Sequence, residues 1–146
     1  MDAPHYVVNA EAAVHRDGEY LLVERAAGEE HAAGALALVG GKVEITEGRD
    51  VLEATVRREV EEEVGVALGR LDYVTSSAFE TPDDQVVNTV FLAEHDAGTA
   101  RVRDPEEVAA VHWLTPDEVR DHPDAPAFTA NYIEAVDAHR RRRRDS

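Results

Sequence analysis

The sequence predicts an α/β fold in which a mixed sheet lies between helices. Three observations carry that expectation. Residues 6 to 15 alternate apolar and polar, the period-two signature of a half-buried strand. Residues 52 to 64 repeat apolar groups at helical spacing. Several further short runs read as strands and are separated by turn signals, with two helix patterns near the end of the chain.

In chain order, Tyr6, Val8, Ala10, Ala12 and Val14 alternate with Asn9, Glu11 and His15. Asp17-Gly18 is a hairpin turn signal, and Glu19 to Arg25 is the return strand. Ala26 to Gly34 reads as a loop of small and charged residues. Ala35 to Val39 is a short strand leading into a Gly40-Gly41 turn, where paired glycines let the backbone approach a ligand closely. A helix follows, with Asp50 as N-cap, Glu53 reaching back as a capping box, and Gly65 as the left-handed stop. Arg70 to Phe79 and Gln85 to Glu94 are strands around a Thr81-Pro82-Asp83-Asp84 turn. The second is apolar on both faces and is expected to be central. Val108 to Leu114 is another strand. Thr115-Pro116-Asp117-Glu118 is a helix start with a capping box. A last helix begins near Pro126, with Phe128, Tyr132, Ile133 and Val136 along one side. No repeat or linker divides the 146 residues, so one domain over 1–146 is expected.

Composition bounds the function. There is no cysteine, so disulfides, zinc thiolates and thiol nucleophiles are excluded. No signal peptide and no long apolar run is visible, so a soluble, cytoplasmic protein without membrane contact is expected. Fifteen basic residues against 31 acidic ones give a net charge of −16, unfavourable for gripping nucleic acid. Arg140 to Arg144 read as a solvated, disordered basic tail of about residues 140–146. A homodimer is left open. The histidines show no metal spacing, and Ser76 and Ser77 lack the strained turn of a serine nucleophile.

The chemistry concentrates in the helix ending at Gly65. At about 100° per residue, Leu52, Val56, Val60 and Val64 form one apolar arc. Glu59 and Glu62 lie beside that arc, Glu63 projects into it, and Glu61 lies on the far side. Glu59 and Glu63 are one turn apart, so their side chains meet. Like charges at the edge of a core are costly unless a cation neutralises them. A solvated acidic face would explain Glu61 but not Glu63. Oxygen-only ligands suit Mg²⁺ or Mn²⁺ better than zinc.

The run Arg58-Glu59-Val60-Glu61-Glu62-Glu63-Val64-Gly65-Val66 resembles the second half of the Nudix box, G-x5-E-x7-R-E-U-x-E-E-x-G-U, where U is a bulky aliphatic residue. The first half departs from the pattern. Gly41 would be its opening glycine, but Asp50 stands where the box has Glu, and a three-residue insertion lengthens the loop between them. Leu38-Val39-Gly40-Gly41 is similar to the family's Leu-Pro-Gly-Gly. Glu106-Glu107-Val108 through His112-Trp113-Leu114 is similar to its glutamate-then-tryptophan segment. The resemblance spans about residues 6 to 120.

That resemblance implies an α/β/α sandwich and metal-dependent hydrolysis of a phosphoanhydride in a nucleoside diphosphate linked to another group. It implies Mg²⁺ or Mn²⁺ held by Glu59, Glu62, Glu63 and the Gly40 carbonyl, and Arg58 orienting a carboxylate. Glu107 or Glu106 is the candidate general base and Glu62 the alternative. Arg25 resembles an arginine that contacts phosphate in relatives. The rival reading is a nucleotide-binding or regulatory module of the same fold that has lost catalysis.

Overall fold

In the computed structural model, which describes residues 2–27 and 33–145, seven strands form one sheet and three helices cover it. The strands are β1 (Val7–Arg16), β2 (Glu19–Arg25), β3 (Leu36–Ala37), β4 (Val39–Lys42), β5 (Ala67–Glu80), β6 (Gln85–Ala97) and β7 (Val108–Leu114). The helices are α1 (Val51–Val64), α2 (Pro116–Asp121) and α3 (Ala127–Asp145). The sheet runs β3-β2-β1-β6-β5, with β4 also paired to β1 and β7 to β2. β1 and β6 are parallel and the other pairs antiparallel, so the sheet is mixed. Part of the expected loop of Ala26 to Gly34 lies outside the described residues.

Two cores account for the layers. Ala10, Ala12 and Val14 of β1 pack with Val56, Val60 and Val64 of α1. Ala13, on the opposite parity, packs with Leu22, Leu92, Val119, Ile133 and Val136 beneath α2 and α3. β1 is therefore covered on both faces rather than half-buried. Its polar residue Glu11 turns inward and accepts a hydrogen bond from Asn88 Nδ2 at 2.6 Å. The alternation in β1 marks two buried surfaces, the second of which carries Glu11 within an otherwise apolar face.

Three locally specified features form as the sequence predicts. Asp17 (φ 51°) and Gly18 (φ 81°) both adopt the left-handed conformation of a tight hairpin. Thr115 and Glu118 form the expected reciprocal capping box on α2. α1 ends at left-handed Gly65, whose N–H reaches the Glu61 carbonyl.

Four expectations need correction. Asp50 does not cap α1 with its side chain: it is itself left-handed (φ 54°, ψ 40°), and only its carbonyl joins the helix, accepting from the Ala54 N–H. Gly40 and Gly41 do not form a turn but lie within β4, opposite Glu11 and Ala10. Phe128 is 54% exposed, while Ile133 and Val136 take the buried side of α3. Arg140 to Arg144 are not a disordered tail, because α3 continues to Asp145. Arg140 bonds the Tyr20 hydroxyl and Asp137, and Arg143 bonds Asp72 and Glu94, so the run is anchored along the sheet.

Candidate active site

α1 presents its carboxylates to β4 because its apolar arc must face β1. That orientation carries Glu59 against the Gly41 backbone and Glu63 into the core edge. A Cβ on Gly41 would lie 2.7 Å from the Glu59 carboxyl carbon, and a Cβ on Gly40 would lie 2.2 Å from the Ala10 carbonyl oxygen. Both glycines are thus required by close approach: Gly40 lets β4 pair with β1, and Gly41 leaves room for a carboxylate. Arg58 Nη2 donates to Glu59 Oε1 at 3.1 Å.

Glu63 is 6% exposed. Its Oε2 is buried without a hydrogen-bond partner. Burial, then the facing Glu107, Glu59 and Asp104, push its carboxyl up to about 9. Ionised carboxylates only accept hydrogen bonds, so Glu63 and Glu107 can bond each other only if one holds a proton. Burial also raises Glu59, helped by Glu62 and Glu107 and opposed by Arg58. Glu62 itself is exposed on α1.

Glu107 comes from the segment before β7, and it faces both Glu59 and Glu63. Glu106 is exposed on the same loop, with its backbone N–H bonded to Asp104 Oδ1. The structure thus separates the two glutamates that the sequence left as alternatives. The loop is held by backbone contacts: Arg101 N–H donates to the Val64 carbonyl, Arg103 N–H to the Glu63 carbonyl, and Ala26 N–H to the Glu107 carbonyl. Glu61, on the outer face, is engaged by Arg103 Nη1 at 2.7 Å.

The all-oxygen donor set suits a hard cation. The orphaned Glu63 oxygen and the cradle at Gly41 fit one. Among the described residues, no three carboxylate or imidazole groups close around a point as they stand, so side-chain adjustment would be needed.

One polar group escaped the sequence reading. Glu11, directly opposite Gly40 in the sheet, meets Asn88 beneath α3. Asn88 Nδ2 also donates to the Tyr132 hydroxyl, which contacts Ser77, while Asn88 Oδ1 is buried with no partner. Burial raises the Glu11 carboxyl, while Asn88 and the charge of half-buried Arg25 oppose the rise. The available signal was a glutamate at an interior position of a strand whose neighbours are alanine and valine.

The model of the NUDIX domain matches residues 5–136. The NAD-capped RNA hydrolase NudC of Escherichia coli O1:K1 is 37% identical over 107 residues, 73% of this chain and 38% of that protein. The chain therefore spans well under half the length of such relatives. The MutT NUDIX hydrolase of Burkholderia pseudomallei superposes with a TM-score of 0.77 at 32% identity, covering 90% of this chain and 98% of its own. The MutT protein of Methanosarcina mazei Go1 gives a TM-score of 0.77 at 26% identity over 96% of this chain and 98% of its own. With the carboxylates of α1 set against the β4 glycines in an α/β/α sandwich, the chain belongs to the Nudix hydrolase family.

Proposed function

We propose that this chain hydrolyses a phosphoanhydride bond in a nucleoside diphosphate linked to another group, with Mg²⁺ or Mn²⁺ held by Glu59, Glu62, Glu63 and the Gly40 carbonyl. The observation that carries the proposal is Glu63, a carboxylate buried against Glu107 with an oxygen that nothing satisfies. Such a group is costly in a structural role and is useful where a cation binds. Bound divalent metal would neutralise phosphate charge and lower the pKa of a coordinated water.

The chain's own residues have distinct tasks. Arg58 holds Glu59 in place. Glu107, on a separate and exposed loop, accepts the proton of the attacking water, with Glu62 as the alternative base. Arg25 lies at the end of β2, one residue before the strand is tied to Glu107, where it supplies positive charge for phosphate.

A hydrolysis screen with Mg²⁺, with the phosphomonoester products separated by ion-exchange chromatography, tests the reading across ADP-ribose, NAD⁺, NAD-capped RNA, nucleotide sugars, dinucleoside polyphosphates and (d)NTPs. NAD⁺ and capped RNA belong in the panel because of the NudC similarity. Activity with at least one class is expected, abolished by chelator and restored by metal. Nucleotide binding without turnover of any class would favour the non-catalytic module. Full activity in excess EDTA, after carried-over metal is removed, would end the metal assignment.

A further inference from the structure

At the free edge of the sheet, β5 and the last turns of α3 border a shallow, open cleft of about 590 Å³, lined by the Arg70–Tyr73 segment and by His139, Arg142 and Arg143. It lies beneath α3, on the opposite face from α1, and β5 is separated from β1 and β4 by β6. The carboxylate cluster does not contribute to it.

Asp72 organises the wall. It accepts from Arg70 Nε at 2.8 Å, His139 Nε2 at 3.1 Å and Arg143 Nη1 at 3.0 Å. Arg143 Nη2 is braced from behind by Glu94 at 2.7 Å. One carboxylate therefore fixes two guanidiniums and an imidazole. The terminal nitrogens of Arg70 are left without a protein acceptor among the described residues, and Arg142 has neither a hydrogen bond nor an ion pair there. β5 is bonded to a strand on one side only, so part of its backbone N–H row is also turned away from β6.

Ion pairing within the fold accounts for Asp72 and Arg143 but not for Arg142. Three guanidiniums are set against Asp72 and the Glu94 behind it, a local excess of positive charge on a chain whose net charge is −16. An isolated positive concavity on an acidic body concentrates anions locally. Guanidinium forks match phosphate oxygens in geometry as well as charge. The open volume is well above what one phosphate ion fills.

We propose that this cleft binds a phosphate monoester of mononucleotide size, at a site separate from the carboxylate cluster. The phosphate meets Arg70 and Arg142, while Asp72 keeps Arg143 and His139 in place behind it. The same chemistry could come from a free nucleotide or from the 5′-phosphorylated end of an RNA strand.

Proton–nitrogen NMR on the full chain without divalent metal tests the proposal, with AMP and a 5′-phosphorylated RNA tetramer as probes. Saturating shifts are expected at the amides of Arg70 to Tyr73 and at the His139 ring. Saturation by AMP assigns a free nucleotide, and saturation by the tetramer alone assigns a strand end. Arg142→Ala and Arg70→Ala should each weaken binding by about tenfold or more, with Arg142→Lys intermediate. Melting temperature and turnover should not change in Arg142→Ala. Shifts only at Gly40 to Lys42 and Glu107 would overturn the proposal. So would equal shifts with adenosine or with sulfate at matched ionic strength, or unchanged affinity in Arg142→Ala.

Discussion

The backbone N–H of Arg103 donates to the carbonyl oxygen of Glu63 at 2.9 Å. This bond uses one of the carbonyls left over at the end of α1. It also fixes the loop that carries Glu107 to the helix that carries Glu59 and Glu63. Arg103→Pro removes the donor, and it should lower turnover more than Arg103→Ala, which keeps it. A destabilisation of about 1 kcal/mol is expected for the lost hydrogen bond. Equal turnover in the two variants would show that the loop is placed by other contacts.

Glu63 and Glu61 separate function from surface charge on one helix. Glu63→Gln keeps the shape and needs no proton taken up to sit beside Glu59 and Glu107. Without metal, it should be as stable as the parent or more so, by up to about 1 kcal/mol. Turnover should fall by about a hundredfold or more, equivalent to about 2.7 kcal/mol of transition-state stabilisation. Glu61→Gln loses only an exposed contact with Arg103 and should change either quantity little. Similar behaviour of the two variants in urea titrations and steady-state kinetics would reduce the cluster to a solvated acidic face.

The metal-free protein should lose stability as pH rises. Burial and its acidic neighbours lift Glu63 from 4.5 to about 9, so the folded chain holds this proton more tightly than the unfolded chain. The contribution is complete below 4.5 and drains as pH climbs toward about 9. Asp72 and Glu94 act in the opposite sense. Burial alone would raise them, but Arg70, His139 and Arg143 lower Asp72, and His15 and Arg143 lower Glu94. Their contributions are present above the ordinary carboxylate range and disappear as pH falls through it. Denaturation midpoints in EDTA should therefore peak in weak acid, at about pH 5 to 6. Glu63→Gln should flatten the alkaline side and leave the acid side intact. An unchanged alkaline slope would remove Glu63 as its cause.

The two glycines of β4 should fail differently. A Cβ at Gly40 meets the Ala10 carbonyl at 2.2 Å, and backbone cannot yield without breaking the β1–β4 ladder. Gly40→Ala is expected to cost about 2 kcal/mol or more. At Gly41 the obstacle is the mobile end of Glu59, so Gly41→Ala should fold with a smaller loss. Its turnover should drop by at least about tenfold, or about 1.4 kcal/mol, because the carboxylate is displaced. Parent-like turnover in Gly41→Ala would remove Glu59 from the site.

Residues 43 to 50 form no helix or strand, and Glu44 and Thr46 to Asp50 are exposed. Deleting three residues between Ile45 and Arg49 should leave the metal requirement intact and alter substrate preference or stability, because β4 and α1 are positioned by β1. Loss of the metal requirement in kinetic assays would show that this loop helps build the site.

What the sequence determined by itself was set within a few residues of chain. The apolar arc of α1, its glycine stop, the Asp17-Gly18 hairpin and the Thr115–Glu118 capping box need only neighbours in sequence to form. Glu63 could be singled out because helical period alone puts it inside that arc. What only the tertiary structure decided depends on distant partners. Gly40 and Gly41 belong to a strand because β1 pairs with them, and Asp50 turns left-handed as the chain leaves the exposed loop for α1. The arginine run of α3 is held in place because Asp72, Glu94 and Tyr20 stand opposite it. Glu11 is buried because β4 and β6 flank it in the sheet and Asn88 of β6 bonds its carboxyl. Glu107 was separated from Glu106 by the contacts of the 101–108 segment with α1 and β2, which no local pattern records.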